Sequence, residues 1–185
     1  ESENRQILGR ARKISEDLLN RYLHFEKKKY SIRNSLMLAE TLTGRITRDL
    51  AAFIGAREIG MVRMALQEIV INAIEHGNLT ISFQEKSEAQ DNGRYFQLIA
   101  DRQGDPRYRD RKVSVEYSMD SRRVAYLVAD EGEGFDHRAM DETAMEAINN
   151  EMIAHGRGIS IVKSVFDKVA YNTKGNRVLL VKNLS

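Results

Sequence analysis

Along the first 25 residues, Ile7, Ala11, Ile14, Leu18, Tyr22 and Phe25 recur at spacings of three and four with charge between them. That is the 3.6-residue period of an amphipathic helix. The spacing is also close to a heptad repeat, which leaves two readings for residues 1–28. The helix either docks on its own domain as a linker, or it pairs with a second copy or continues an upstream helix. Lys27 to Ile32 reads as a short strand, and Leu38, Leu42, Ile46, Leu50 and Phe53 predict a second helix from Leu36 to Phe53. Gly55 interrupts the pattern. A third helix is expected from about Ile59 to His76, stopped by Gly77 and Asn78.

Beyond that point the period changes. Val113 to Met119 and Val124 to Ala129 alternate in the manner of strands, and Asp120 and Ser121 supply the hairpin turn. Between them and the third helix, residues 79–111 are polar, mixed in charge and hold the only proline, Pro106. This segment reads as a helical insertion or a long loop. Residues 135–155 are acidic, rich in methionine and weakly periodic, the pattern of a cover over a site. Ile159, Val162, Val165 and Phe166 predict a last helix, and Val169 to Thr173 with Arg177 to Lys182 predict closing strands around Lys174-Gly175-Asn176. The fold class expected is α/β (α+β): a two-layer sandwich of a mixed, mostly antiparallel sheet with helices on one face, over residues 29–185.

Composition narrows the function. A chain of 185 residues with 42% hydrophobic and 30% charged residues supports one domain with a real core. The absence of cysteine excludes thiol nucleophiles, cysteine zinc sites and disulfides. The longest apolar run, Val124 to Ala129, is far short of the roughly 20 residues that span a bilayer. No secretion signal precedes it, so a cytoplasmic location and no membrane partner are expected. Twenty-nine basic residues against 27 acidic give +2, too balanced for a nucleic-acid binder. A start at Glu1 rather than methionine suggests a fragment of a longer protein or a processed chain, with a sensory or receiver domain as one candidate for what is missing upstream.

Three clusters could carry chemistry. Glu68, Asn72 and Glu75 project from one face of the third helix, which alone reads first as a solvated stripe. Read as a site, the amide oxygen of Asn72 suits Mg²⁺, and Glu68 one turn earlier suits a general base. Asp130-Glu131-Gly132-Glu133-Gly134 follows a strand and alone reads as a turn. Read as a site, a carboxylate at the strand end accepts a hydrogen bond from an exocyclic amine such as that of adenine. Gly132 and Gly134 then let backbone approach a flat ring. Gly156-Arg157-Gly158 opens the last helix, where free N–H groups and the helix dipole favour phosphate. Arg157 touches that phosphate or faces solvent. No two of His24, His76, His137 and His155 are spaced as a helical metal pair, and His76 and His155 read as helix-end caps.

The three clusters occur in one order: Leu66-Gln67-Glu68-Ile69-Val70-Ile71-Asn72-Ala73-Ile74-Glu75-His76-Gly77-Asn78, then Asp130-x-Gly132-x-Gly134, then Gly156-x-Gly158. This resembles the ATP-binding domain of the gyrase, heat-shock chaperone, histidine kinase and MutL superfamily, with the Bergerat-type fold. The first motif is most similar to the anti-sigma factor serine kinases. The resemblance implies ATP and Mg²⁺ as cofactors, Asn72 on the metal, Glu68 as activator of the acceptor hydroxyl and Asp130 on adenine. Gly132 and Gly134 would shape the base pocket, and Gly156 and Gly158 would approach the phosphates. It also implies a small anti-sigma antagonist protein as acceptor and a sigma factor as partner. A histidine kinase catalytic domain and a non-catalytic nucleotide-gated binding module are the alternatives. Two features depart from the family: the insertion at 79–111, and the lack of a threonine after Gly175 to support Asp130.

Overall fold

Alternation builds the sheet. In β2 (Lys112–Met119) every second residue, Val113, Val115, Tyr117 and Met119, is buried, and in β3 (Arg123–Ala129) Val124, Tyr126 and Val128 do the same. With β1 (Glu26–Arg33), β4 (Lys168–Tyr171) and β5 (Arg177–Asn183) they form a sheet in the order β1-β2-β3-β5-β4. All four pairings are antiparallel, so the mostly antiparallel sheet expected has no parallel pair among the described strands. The computed structural model describes residues 2–20, 22–135 and 157–184. Residues 136–156, which include most of the expected cover and Gly156, lie outside them.

Helices α2 (Leu36–Ile46), α3 (Ala56–Asn72) and α6 (Arg157–Val165) lie on the buried face of the sheet. Leu66 and Val70 of α3 meet a core that holds Val115, Tyr126 and Leu180 of the strands and Val162 of α6. Full burial of such a side chain contributes about 1.5–3 kcal/mol. Tyr126 is fully buried and its ring stands 5.7 Å from Tyr117 and 6.1 Å from Phe166, which ties sheet to helix layer. The chain is thus the two-layer α/β sandwich expected. None of its described helices is long and apolar enough to cross a membrane.

The second helix is shorter than its spacing predicts. The Thr47 hydroxyl donates to the Thr43 carbonyl at 2.7 Å, and Arg63 Nε donates to the same hydroxyl at 3.3 Å. The Thr43 carbonyl also keeps its bond from Thr47 N at 3.2 Å; α2 ends there, and a 3₁₀ turn, Arg48–Ala52, follows and buries Leu50. The first helix, α1 (Ser2–Asn20), touches the domain at that 3₁₀ turn, while Ile7, Ile14 and Leu18 stay at least half exposed.

Of the two readings of residues 79–111, the structure shows the helical one. Ser82 and Glu85 form a reciprocal capping box that starts α4 (Phe83–Asp91), and α5 (Tyr95–Gly104) folds back against it. The pair covers the end of α3. Glu75, which helical spacing puts on a solvated stripe, is instead fully buried, because Lys86 Nζ binds its Oε2 at 2.6 Å and the Tyr95 hydroxyl donates to its Oε1.

A buried carboxylate stripped of its cation is costly, so Lys86→Ala is expected to lower unfolding stability by about 3–5 kcal/mol. Glu75→Gln added to that variant should recover much of the loss. Urea titration measures both, and a Lys86→Ala midpoint equal to wild type would mean the pair does not anchor the insertion.

Candidate functional site

The site is built where three distant stretches of backbone touch. After Asn72 the helix widens into a π turn, Ala73–Asn78, closed by Leu79 N donating to the Ile74 carbonyl at 2.8 Å. Such turns cluster at functional sites because they re-aim side chains. Its far end, Gly77, lies against the Asp130 carboxylate so closely that a Cβ on it would collide with Oδ1 and Cγ. Glycine is required there. Asn78 is fully buried and holds the junction: its Oδ1 accepts from Glu131 N at 2.8 Å, and its Nδ2 donates to Asn34 Oδ1 at 2.7 Å.

Asp130 sits one residue past β3. Its Oδ1 accepts from Gly132 N at 2.8 Å, and its backbone is clamped to the β4–β5 turn, with Asp130 N donating to the Asn176 carbonyl at 3.1 Å and Asn176 Nδ2 donating to the Asp130 carbonyl at 3.2 Å. Asn176, the residue after Gly175, is thus bound to the main chain of Asp130 by both its backbone and its side chain. Lys174 Nζ donates to the Gly132 carbonyl at 3.0 Å. Gly134 has φ of 82° and packs against the Lys174 carbonyl, a conformation and a contact that exclude a side chain. Burial raises the Asp130 pKa above the ordinary aspartate value, while the Gly132 amide and the charges of Lys174 and Arg111 oppose the shift.

These stretches enclose a cleft of about 750 Å³ including its open mouth. Asn72, His76, Asp130, Gly134 and Asn176 line it, with Val128 as part of its apolar floor. Glu68 lies one turn back along α3 and is joined to the cleft through Asn72, whose Nδ2 donates to its Oε1 at 3.2 Å. Of the residues singled out in sequence, Glu68, Asn72, Asp130, Gly132 and Gly134 thus come together. Arg157 and Gly158 open α6, as expected; their side-chain surroundings and Gly156 lie outside the described residues. Glu75 faces away, under the insertion.

The family model for the histidine kinase-like ATPase domain matches residues 38–182. The chain belongs to that family. No curated protein matches it. As a histidine kinase-like ATPase domain it is a nucleotide-binding domain of the ATPase and kinase type.

Several cleft residues of this histidine kinase-like domain escape sequence reasoning. Gly77 and Asn78 read as helix stops, yet they form the junction with Asp130 and Glu131. Their place at the end of the Leu66 to Asn78 motif is the one signal available. His76, expected as a partly exposed cap, lines the cleft: Nδ1 lies 2.5 Å from the Ile81 carbonyl, and Nε2 is buried with no partner among the described residues. A carbonyl only accepts, so Nδ1 carries the proton and Nε2 presents a lone pair. Tyr171, Arg177 and Phe83 also line the cleft, contributed by the closing strands and the insertion.

Burial lowers the His76 pKa below the ordinary 6.5, against the opposing pull of the Ile81 carbonyl and Glu75. The folded ring resists a proton that the unfolded chain accepts, so stability falls as pH drops through 6.5 and is restored above it. Histidine NMR titration should place the His76 midpoint below 6.5, and a midpoint above that value contradicts this environment.

Proposed function

We propose that the domain is an ATP- and Mg²⁺-dependent protein serine/threonine kinase of the anti-sigma factor type. In this reading it phosphorylates a small antagonist protein and holds a sigma factor, as the output domain of a longer signalling protein. The observation that carries the reading is the Glu68–Asn72 pair at one edge of a cleft whose other side presents Asp130. A carboxylate within reach of the cleft supports transfer to a hydroxyl over passive nucleotide binding.

Asn72 fits a metal. Its amide nitrogen is on Glu68, which leaves its oxygen, a hard donor, for Mg²⁺. Among the described residues no three His, Asp or Glu cluster to hold an ion, so phosphate and water oxygens would complete the shell. Mg²⁺ there would neutralise phosphate charge in transfer. Asp130, its Oδ1 already on Gly132, offers its carboxylate to the amine of adenine. Glu68 takes the proton of the acceptor hydroxyl as that oxygen bonds to the γ-phosphorus and the bridge to ADP breaks. His24 is exposed between α1 and β1 rather than on a helix, which favours the serine/threonine reading over a histidine kinase.

Radiolabelled ATP incubated with candidate partners tests this reading: label on serine or threonine supports it, and acid-labile label on His24 or none at all contradicts it. Asn72→Ala should abolish Mg-ATP binding by calorimetry, and unchanged affinity would remove the metal role. Glu68→Ala should keep nucleotide yet lose transfer by about 10²- to 10⁴-fold, the usual scale for a general base. Full transfer in that variant would leave the glutamate structural.

A further inference from the structure

The helical insertion reaches into the cleft. Phe83, the first residue of α4, lines it together with Asn72 and Asp130, and its ring lies 4.1 Å from that of His76 at 42°. The side chain remains 42% exposed. The exposed part of a large apolar ring at the wall of a cleft is a contact surface for a ligand there.

Its position is tightly fixed from both sides. Between the π turn and α4, Thr80 takes φ of 53°, a left-handed conformation costly for a β-branched residue that persists only where its surroundings enforce it. Arg102 enforces it from α5, donating to the Leu79 carbonyl at 3.1 Å, to the Thr80 carbonyl at 3.2 Å and to Glu85 Oε1 at 2.5 Å. Arg111 Nη1 donates to the Asn78 carbonyl at 2.9 Å, and the capping box sets the first turn of α4. The buried Glu75–Lys86 pair ties the same helix to the π turn. These bonds hold the start of α4, and Phe83 with it, beside the π turn that carries His76.

We propose that Phe83 is a nucleotide-contact residue: the insertion at 79–111 supplies an aromatic wall, shared with His76, against which the nucleoside part of the ligand packs. An aromatic face offers a flat apolar surface and no donor for phosphate, so the base or ribose is its partner. The His76 lone pair at Nε2, buried beside that ring, is an acceptor on the same wall. The assignment rests on the nucleotide-binding reading of the cleft, and it makes residues 79–111 part of the binding site.

The chain contains no tryptophan, so Phe83→Trp creates a single emission reporter at the wall and Phe96→Trp, on the exposed side of α5, creates a control. Mg-ATP titrated into Phe83→Trp should shift or quench its emission with a midpoint matching the calorimetric affinity, and Phe96→Trp should stay silent. Phe83→Ala should bind Mg-ATP at least about fivefold more weakly, the lower bound for losing an aromatic stacking partner, while Phe83→Leu loses less. If wild type binds Mg-ATP but Phe83→Ala binds within twofold of it, or the emission of the Phe83→Trp variant does not respond, Phe83 is no contact and the inference falls alone. If wild type itself binds no Mg-ATP, the nucleotide reading falls first and takes the inference with it.

Discussion

The structure depends on how closely three strands of main chain can approach. Gly77 at the end of the π turn abuts the Asp130 carboxylate, and Gly134 abuts the carbonyl of Lys174. A methyl group at either place would push apart the end of α3, the end of β3 and the β4–β5 turn. Because all three are in contact, polar atoms far apart in sequence are paired with one another: Asn78 with Glu131 and Asn34, Asp130 with Asn176. The cleft is the space these contacts leave open.

That junction sets the electrostatics. Asp130 loses solvent by lying under Gly77, which raises its pKa, and among the described residues it is held by backbone donors rather than by a direct salt bridge. His76 loses solvent on the other wall, which lowers its pKa. The cleft therefore presents one hydrogen-bonded carboxylate, one neutral imidazole acceptor and one amide, set in an apolar floor. The chemistry is that of a site that orients a ligand by a few polar contacts and packs the remainder.

Much of this is legible in the sequence because it is periodic. Alternation in Val113 to Met119 and Val124 to Ala129 marks the central strands, and 3.6-residue spacing marks α3. Local rules do not reveal what depends on tertiary contact. At Thr47 the chain passes from α2 into a 3₁₀ turn that the apolar spacing does not encode, and Glu75 leaves the polar stripe because a later segment folds over it. The same limit hides Phe83 and Asn78, one an ordinary helix start and the other an ordinary helix stop until their neighbours arrive. The motif order is legible, and five of its residues gather where that order implies; Gly156 lies outside the described residues.

The central claim is that the junction of Gly77–Asn78, Asp130–Gly134 and Lys174–Asn176 forms the wall of a nucleotide cleft. Hydrogen–deuterium exchange of the chain with and without Mg-ATP tests it most directly, because each stretch carries backbone amides at the cleft. The account predicts that nucleotide slows exchange in these three stretches together, with the outer strand β1 unchanged. Slowing confined to other surfaces, or none at saturating nucleotide, would contradict it.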